Sequence, residues 1–459
     1  MGWKTPAVIL LFAILTWYGI SRMLIPNLIS ETPDAGSGWW GPGPEVSRSK
    51  QDTSIRPFRL NVSDDILSDL KRRLQNTRFI DAKYETTFRY GSNPAYMKQV
   101  QQHWLKKYSW RDAEKKLNKF DHFLTNIEGI DVHFIHSKPK LAPGQKAKPM
   151  MMIHGWPGSF YEFNKIIPMM SDPLNHGGSA EDIFEIICPS IPGFGFSEPP
   201  HKKGFTSVDA ARMFDTLMMR LGFKEYYLQG GDWGAVVAIN MAVMFPSHVK
   251  GLHSNDVLQV SGMALVYPFV ANLWPSFFLP DEREQKSLLP PGERLLFFLE
   301  EAGFLYHHAT KPDSSAAAFQ DSPLGMASHL LEKFSGWTNR NWRDLPDGGL
   351  TKEWTLDELL TNVMIYWVNN SIGYTLRMFK EDVSQFNSNY INTHSTRVPY
   401  GQTVTPQDFF GSAAWLMKPF HRGLIHFTYL PKGGHFPAFQ VPELLAKDVR
   451  EFVRKVEAL

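Results

Sequence analysis

Cysteine is almost missing: Cys188 is the one cysteine in 459 residues, which excludes an internal disulfide framework and argues against a secreted scaffold. Set in Phe184-Glu185-Ile186-Ile187-Cys188, it reads as an inert thiol at the end of a buried strand. An excess of either charge is missing too. Lys plus Arg number 48 against 46 Asp plus Glu, so no strong field for nucleic acid exists and no such partner is expected. There is no HExxH, no Cys/His metal spacing and no phosphate-binding glycine loop. His307 and His308 are adjacent, point to different sides and make a poor metal pair. No metal and no cofactor is expected. Repeats and low-complexity tracts are absent as well.

Long apolar runs are missing except at the N-terminus. Thr5 to Ser21 carries no charge and sits at the short limit of about 17 residues for a spanning helix. Lys4 and Arg22 bracket it, and Trp3, Trp17 and Tyr18 suit the membrane interfaces. No small-x-small cleavage site precedes Arg22, which favours a retained anchor (residues 1–25) over a cleaved signal peptide. Arg22, Arg48, Lys50 and Arg56 outnumber Lys4, placing the catalytic domain on the cytosolic side.

What is present is ample material for a core: 43% of residues are hydrophobic and 14% aromatic, enough for one catalytic domain with insertions. Residues 26–146 form an N-terminal wrapping region. In it Pro26 to Pro57 is expected to be extended and without regular structure, Asp64 to Leu74 and Pro94 to Trp104 helical, and Phe120 to Asn126 paired with Val132 to His136 around Glu128-Gly129. Residues 147–262 alternate apolar strands (Met150 to Ile153, Phe184 to Cys188, Tyr226 to Gln229) with helical stretches, the pattern of an α/β fold with a mostly parallel sheet. Residues 263–385 break the alternation with aromatic-rich helices, one opened by a Thr355 to Glu358 capping box, and read as a helical cap. Residues 386–459 return to strands and end in a helix from Glu443 to Val456.

The chemistry centres on Gly230-Gly231-Asp232-Trp233-Gly234. Small residues flank a central nucleophile in the sharp strand-to-helix turn of α/β-hydrolases. Asp in place of Ser is informative, because a serine alkylated at carbon leaves an ether that water cannot cleave, whereas a carboxylate leaves a hydrolysable ester. Asp232 therefore points to displacement at carbon. The His154-Gly155-Trp156-Pro157-Gly158 loop after the first strand is expected to give one oxyanion-hole amide, from Trp156, with the second from Trp233. The order nucleophile, acid, histidine is met by Asp232, Asp408 and His435, with Glu381 and Asp382 as rival acids.

Trp39-Trp40-Gly41, His154-Gly155-Trp156-Pro157-Gly158-Ser159, the Asp232 elbow, Thr310-Lys311-Pro312-Asp313 and Gly433-Gly434-His435-Phe436 together resemble the microsomal epoxide hydrolases, and among them the insect juvenile hormone epoxide hydrolases. The resemblance runs from about Trp39 to the C-terminus. It implies an α/β-hydrolase fold with a helical cap, hydrolysis of lipophilic epoxides to vicinal diols, and residence at the endoplasmic reticulum membrane. By matching positions it puts the nucleophile on Asp232, the base on His435 and the acid on Asp408, where mammalian members commonly have Glu.

The departure is in the cap. The family's two cap tyrosines, which hydrogen-bond and protonate the epoxide oxygen, fall on Phe304 and Phe379, which have no proton to give. Losing general-acid help typically costs about 10² to 10⁴ in rate. Tyr306 and Tyr374 are the nearby candidate proton donors, with Tyr366 a third. Two other readings stay open: carbon-halogen hydrolysis, which needs no acid, and a lipophilic-ligand or hormone-binding relative with impaired ring opening. Oligomeric state is not legible.

Overall fold

Strands whose residues are buried almost without interruption must be covered on both faces. That describes β4 (Lys148–Ile153), β5 (Phe184–Pro189), β6 (Tyr226–Gly231), β7 (Val249–Asn255) and β8 (Tyr400–Val404). In the computed structural model, which describes residues 28–47, 51–81, 83, 86–255, 259, 262–384, 390–409 and 411–459, these strands and β9 (Leu424–Tyr429) form the parallel part of a nine-stranded sheet. With β1 (Ile55–Phe58), β2 (His122–Ile127) and β3 (Ile130–Ser137) ahead of them, the order is β1-β2-β3-β5-β4-β6-β7-β8-β9. β4 has β5 on one side and β6 on the other, so the direction of winding reverses there. A crevice at the C-terminal strand ends is the expected place for a ligand in such a sheet, and the loops after β4 and β6 carry Trp156 and Asp232.

β1 (Ile55–Phe58), β2 (His122–Ile127) and β3 (Ile130–Ser137) are antiparallel. Glu128 and Gly129 make the β2–β3 turn with φ of 52° and 90°. β1 corrects the expectation that residues 26–57 lack regular structure: Ile55 pairs with Thr125 and Phe58 with His122. Four mostly exposed residues including Pro57 make a weak strand signal, and proline is tolerated because this is the sheet edge. Trp40 N–H donates to Glu128 O at 2.7 Å, and its ring meets Phe205 edge-on at 5.1 Å, so the tryptophan pair straps the β2–β3 turn.

β7 was not singled out in the sequence because it carries polar residues, Val-Lys-Gly-Leu-His-Ser-Asn. A buried network accounts for it. Asp448, on the final helix Pro442–Glu457, accepts from His253 Nε2 at 3.1 Å, His426 Nε2 at 2.9 Å and the Thr403 hydroxyl. Lys455 Nζ lies 2.9 Å from His426 Nδ1 and can only donate, which leaves Nε2–H to face Asp448. The cluster ties β7, β8 and β9 to the last helix.

Between β7 and β8 lie the cap helices, among them Gly303–Thr310, Pro323–Gly336, Leu356–Val368 with its Thr355 and Glu358 capping box, and Ile372–Ser384. The expected anchor at 1–25 lies outside the described residues, and no described helix is long and apolar enough to cross a membrane.

Candidate active site

Asp232 stands between β6 and the helix Trp233–Met244 with φ 53° and ψ −129°, a conformation costing about 1–3 kcal/mol in a non-glycine residue. Three glycines make the turn feasible. A Cβ on Gly234 would lie 1.9 Å from Ile153 O, one on Gly230 would lie 2.6 Å from the Gly234 backbone, and one on Gly155 would strike Asp232 itself at 2.5 Å. The loop after β4 is thus pressed onto the aspartate, and Trp156 N–H donates to Asp232 Oδ1 at 2.8 Å. The Trp233 amide also hydrogen-bonds this carboxylate. Burial raises the Asp232 pKa above its ordinary value, while His435 and the two amides pull the other way.

Asp232 Oδ2 faces His435 Nε2 at 3.7 Å. His435 Nδ1 lies 3.3 Å from Asp408 Oδ1, which also accepts from Phe409 N–H at 2.7 Å. Gly433, with φ 120°, lets the loop after β9 turn; His435 N–H then donates to Trp337 O at 2.9 Å, and the two rings meet edge-on at 4.9 Å. Arg340 fixes the Asp408 loop through Asp408 O at 2.8 Å. The sequence candidates Asp232, Asp408, His435, Trp156 and Trp233 therefore converge. Asp382 does not: it accepts from Ser207 N and Oγ at 3.0 and 2.7 Å, at the start of another helix.

The cap positions bear on the departure noted in the sequence. Phe304 stacks on the Trp156 indole at 5.2 Å and 11°, and Phe379 meets Trp156 and Trp233 edge-on at 5.5 and 5.0 Å. Both rings therefore cover the two indoles whose amides hold Asp232. Tyr306 and Tyr374 do not take their place, being 78% and 38% exposed. Offsets of two and five residues turn a helical side chain by roughly 200° and 140°, so each points away from its phenylalanine. Tyr366 is buried, but its hydroxyl donates to Gly158 O at 2.5 Å. With Asn362, whose Nδ2 donates to Pro157 O and whose Oδ1 accepts from Ser159 Oγ, both at 2.8 Å, it clamps the Trp156 loop. Packed against Phe304, Phe379 and Trp156 is His308, 1% exposed. Its pKa is pushed down to about 3 by burial and by Lys333, so the ring is neutral.

Asp232 and His435 line a cavity of about 20 Å³, and so does Glu162, a residue the sequence reading passed over. Burial raises the Glu162 carboxyl to about 8, with His435 opposing and Asp232 adding to the rise. The signal was masked because Ser159-Phe160-Tyr161-Glu162 reads as a helix-capping pattern, and Ser159 does cap the short turn Phe160–Phe163.

A carboxylate on a strained elbow, two backbone amides on that carboxylate and a histidine–carboxylate pair beside its Oδ2 define an α/β-hydrolase built for displacement at carbon. The chain matches the family model described as the epoxide hydrolase N terminus over residues 55–163 and that of the alpha/beta hydrolase fold over residues 148–390. It is 45% identical to epoxide hydrolase 1 of Sus scrofa, covering 93% of this chain and 94% of that protein. It is 38% identical to juvenile hormone epoxide hydrolase 1 of Ctenocephalides felis, covering 96% and 92%. The crystal structure of the juvenile hormone epoxide hydrolase of Bombyx mori superposes with a TM-score of 0.87 at 35% identity, covering 93% of this chain and 99% of that one. The protein belongs to the epoxide hydrolase family.

Proposed function

We propose that the chain hydrolyses lipophilic epoxides to vicinal diols through an alkyl ester on Asp232. The observation that carries this is the unequal surroundings of the two Asp232 oxygens. Oδ1 receives the Trp156 amide, whereas Oδ2 faces His435 at 3.7 Å, too long for a direct hydrogen bond. Oδ2 attacks an epoxide carbon as that carbon's bond to the ring oxygen breaks. Oδ1 becomes the ester carbonyl oxygen, already held by the Trp156 amide that will stabilise its negative charge in the second step. Water in the adjoining cavity then loses a proton to His435 Nε2 and attacks the ester carbon, and Asp408 stabilises the imidazolium. The alkoxide left by ring opening takes a proton from solvent; on collapse of the tetrahedral intermediate the departing oxygen takes the proton held by His435, which releases the diol, and the Asp232 carboxyl returns a proton to solvent to restore the carboxylate.

Aromatic rings over the elbow suit a lipophilic substrate, as in the relatives named for juvenile hormone. With Phe304 and Phe379 in place of phenols, ring opening is the slower half of the reaction. The uncharged run Thr5 to Ser21 supports an endoplasmic reticulum membrane form with a cytosolic catalytic domain, testable by whether deleting residues 1–25 frees the protein from microsomes.

Purified protein incubated with terpenoid and aryl epoxides, and separately with haloalkanes, tests the assignment. Diol formation abolished by Asp232→Asn supports it. Halide release without diol would select carbon-halogen hydrolysis, and tight epoxide binding without turnover, unchanged in Asp232→Asn, would select a binding protein.

A further inference from the structure

Beside Asp232 and His435 the small cavity has a second carboxyl group. Its volume of about 20 Å³ admits roughly one water, which needs two to four polar partners. Glu162 lines that space. Its carboxyl folds back on the oxyanion loop: a Cβ on Gly158 would fall 1.3 Å from Oε1, and the Ser159 amide hydrogen-bonds the carboxyl. The side chain is thus fixed from the loop that also presents Trp156.

We propose that Glu162 is a positioning residue for the hydrolytic water, holding it against the Asp232 ester together with His435. This rests on the ester mechanism above and concerns only its second half. His435 takes one hydrogen of the water. Glu162 fixes the other, so that the oxygen lone pair is aimed at the ester carbon instead of turning freely in the cavity. The gain is orientation of a reactant already in place.

The charges around Glu162 suit this division of labour. Facing it are Asp232 from the elbow, His435 from the loop after β9 and the Tyr366 hydroxyl from the cap helix Leu356–Val368. While Asp232 is a free carboxylate, burial and that neighbouring charge keep Glu162 protonated up to about pH 8, which leaves Asp232 as the anion that attacks. Alkylation removes the Asp232 charge, one of the causes of that rise, and so favours ionisation of Glu162. Glu162 then gives its proton to solvent and accepts the hydrogen bond of the water. It regains a proton when hydrolysis frees Asp232, so no net proton is consumed by Glu162 over the cycle.

Single-turnover rapid quench on the wild type, Glu162→Gln and Glu162→Ala separates the two steps, reading the alkylated Asp232 peptide by mass and the diol by chromatography. The expected result is ester formation close to the wild-type rate in both variants, with ester hydrolysis slowed about 10- to 100-fold in Glu162→Ala, the scale of one charge-assisted hydrogen bond. Glu162→Gln should recover part of the loss and show a flatter pH profile for hydrolysis than the wild type. Hydrolysis at the wild-type rate in both variants, or equal slowing of both steps, overturns the proposal. Absence of any ester in the wild type would instead sink the parent mechanism. If neither variant folds, time-resolved infrared spectra of the wild type decide: loss of a protonated-carboxyl band as the ester band grows supports the proposal, and an unchanged carboxyl band overturns it.

Discussion

The Phe304 ring lies parallel to the Trp156 indole at 5.2 Å, so the residue that presents an amide to Asp232 is covered by a side chain with no proton to donate. Its neighbour Phe379, also in contact with Trp156, repeats the situation from the helix Ile372–Ser384. Phe304→Tyr and Phe379→Tyr should each raise the rate of ester formation, the pair together by at least about tenfold, since general-acid help is worth about 10² to 10⁴. Rapid-quench measurement of the ester on a terpenoid epoxide checks this. Unchanged rates in the double variant would show that ring opening draws its proton from another group.

The cap holds the oxyanion loop through Asn362 and Tyr366. Tyr366→Phe removes the hydroxyl that donates to Gly158 O, and Asn362→Ala removes both bonds to the loop. Each bond is worth about 0.5–1.5 kcal/mol. Asn362→Ala should therefore lower kcat about tenfold, Tyr366→Phe less, and KM little in either. A rise in KM with kcat unchanged would place these residues in substrate binding.

Asp232 must be ionised to attack, and burial raises its pKa. Activity should accordingly disappear on acidification at a pH above the ordinary carboxylate value of about 3.9. A kcat/KM profile whose acidic limb lies at or below that value would contradict the burial argument.

Asp448 provides a stability test away from the site. Burial alone would raise its pKa, but hydrogen bonds from His253, His426 and Thr403 outweigh burial and hold it well below the usual range. A carboxylate lowered on folding contributes stability that is present above its unfolded pKa and lost as pH falls below it. Asp448→Ala should cost about 3–5 kcal/mol by leaving buried polar groups without their acceptor, and the deficit relative to wild type should shrink below about pH 4. Denaturant melts across pH measure both.

The strands bearing the site were legible because β4, β5 and β6 are nearly continuous apolar runs, and the elbow because its glycines have no other use. Asp232, His435 and Asp408 followed from chain order. What escaped was polar or short. β7 hides its strand character behind His253, Ser254 and Asn255, whose partners come from β8 and the last helix. β1 is four residues with a proline. Glu162 carries no catalytic motif of its own in the sequence, and only the folded loop brings it beside Asp232. Tyr306, Tyr374 and Tyr366 were sensible donors by sequence distance, yet helical rotation turns the first two outward and Gly158 occupies the third.

The most direct test of the covalent route is a single turnover in ¹⁸O-labelled water with enzyme in excess over epoxide. The account predicts that the first diol carries unlabelled oxygen from Asp232 and that ¹⁸O appears in the Asp232 carboxylate. Label entering the diol directly in that first turnover, with Asp232 left unlabelled, would contradict it.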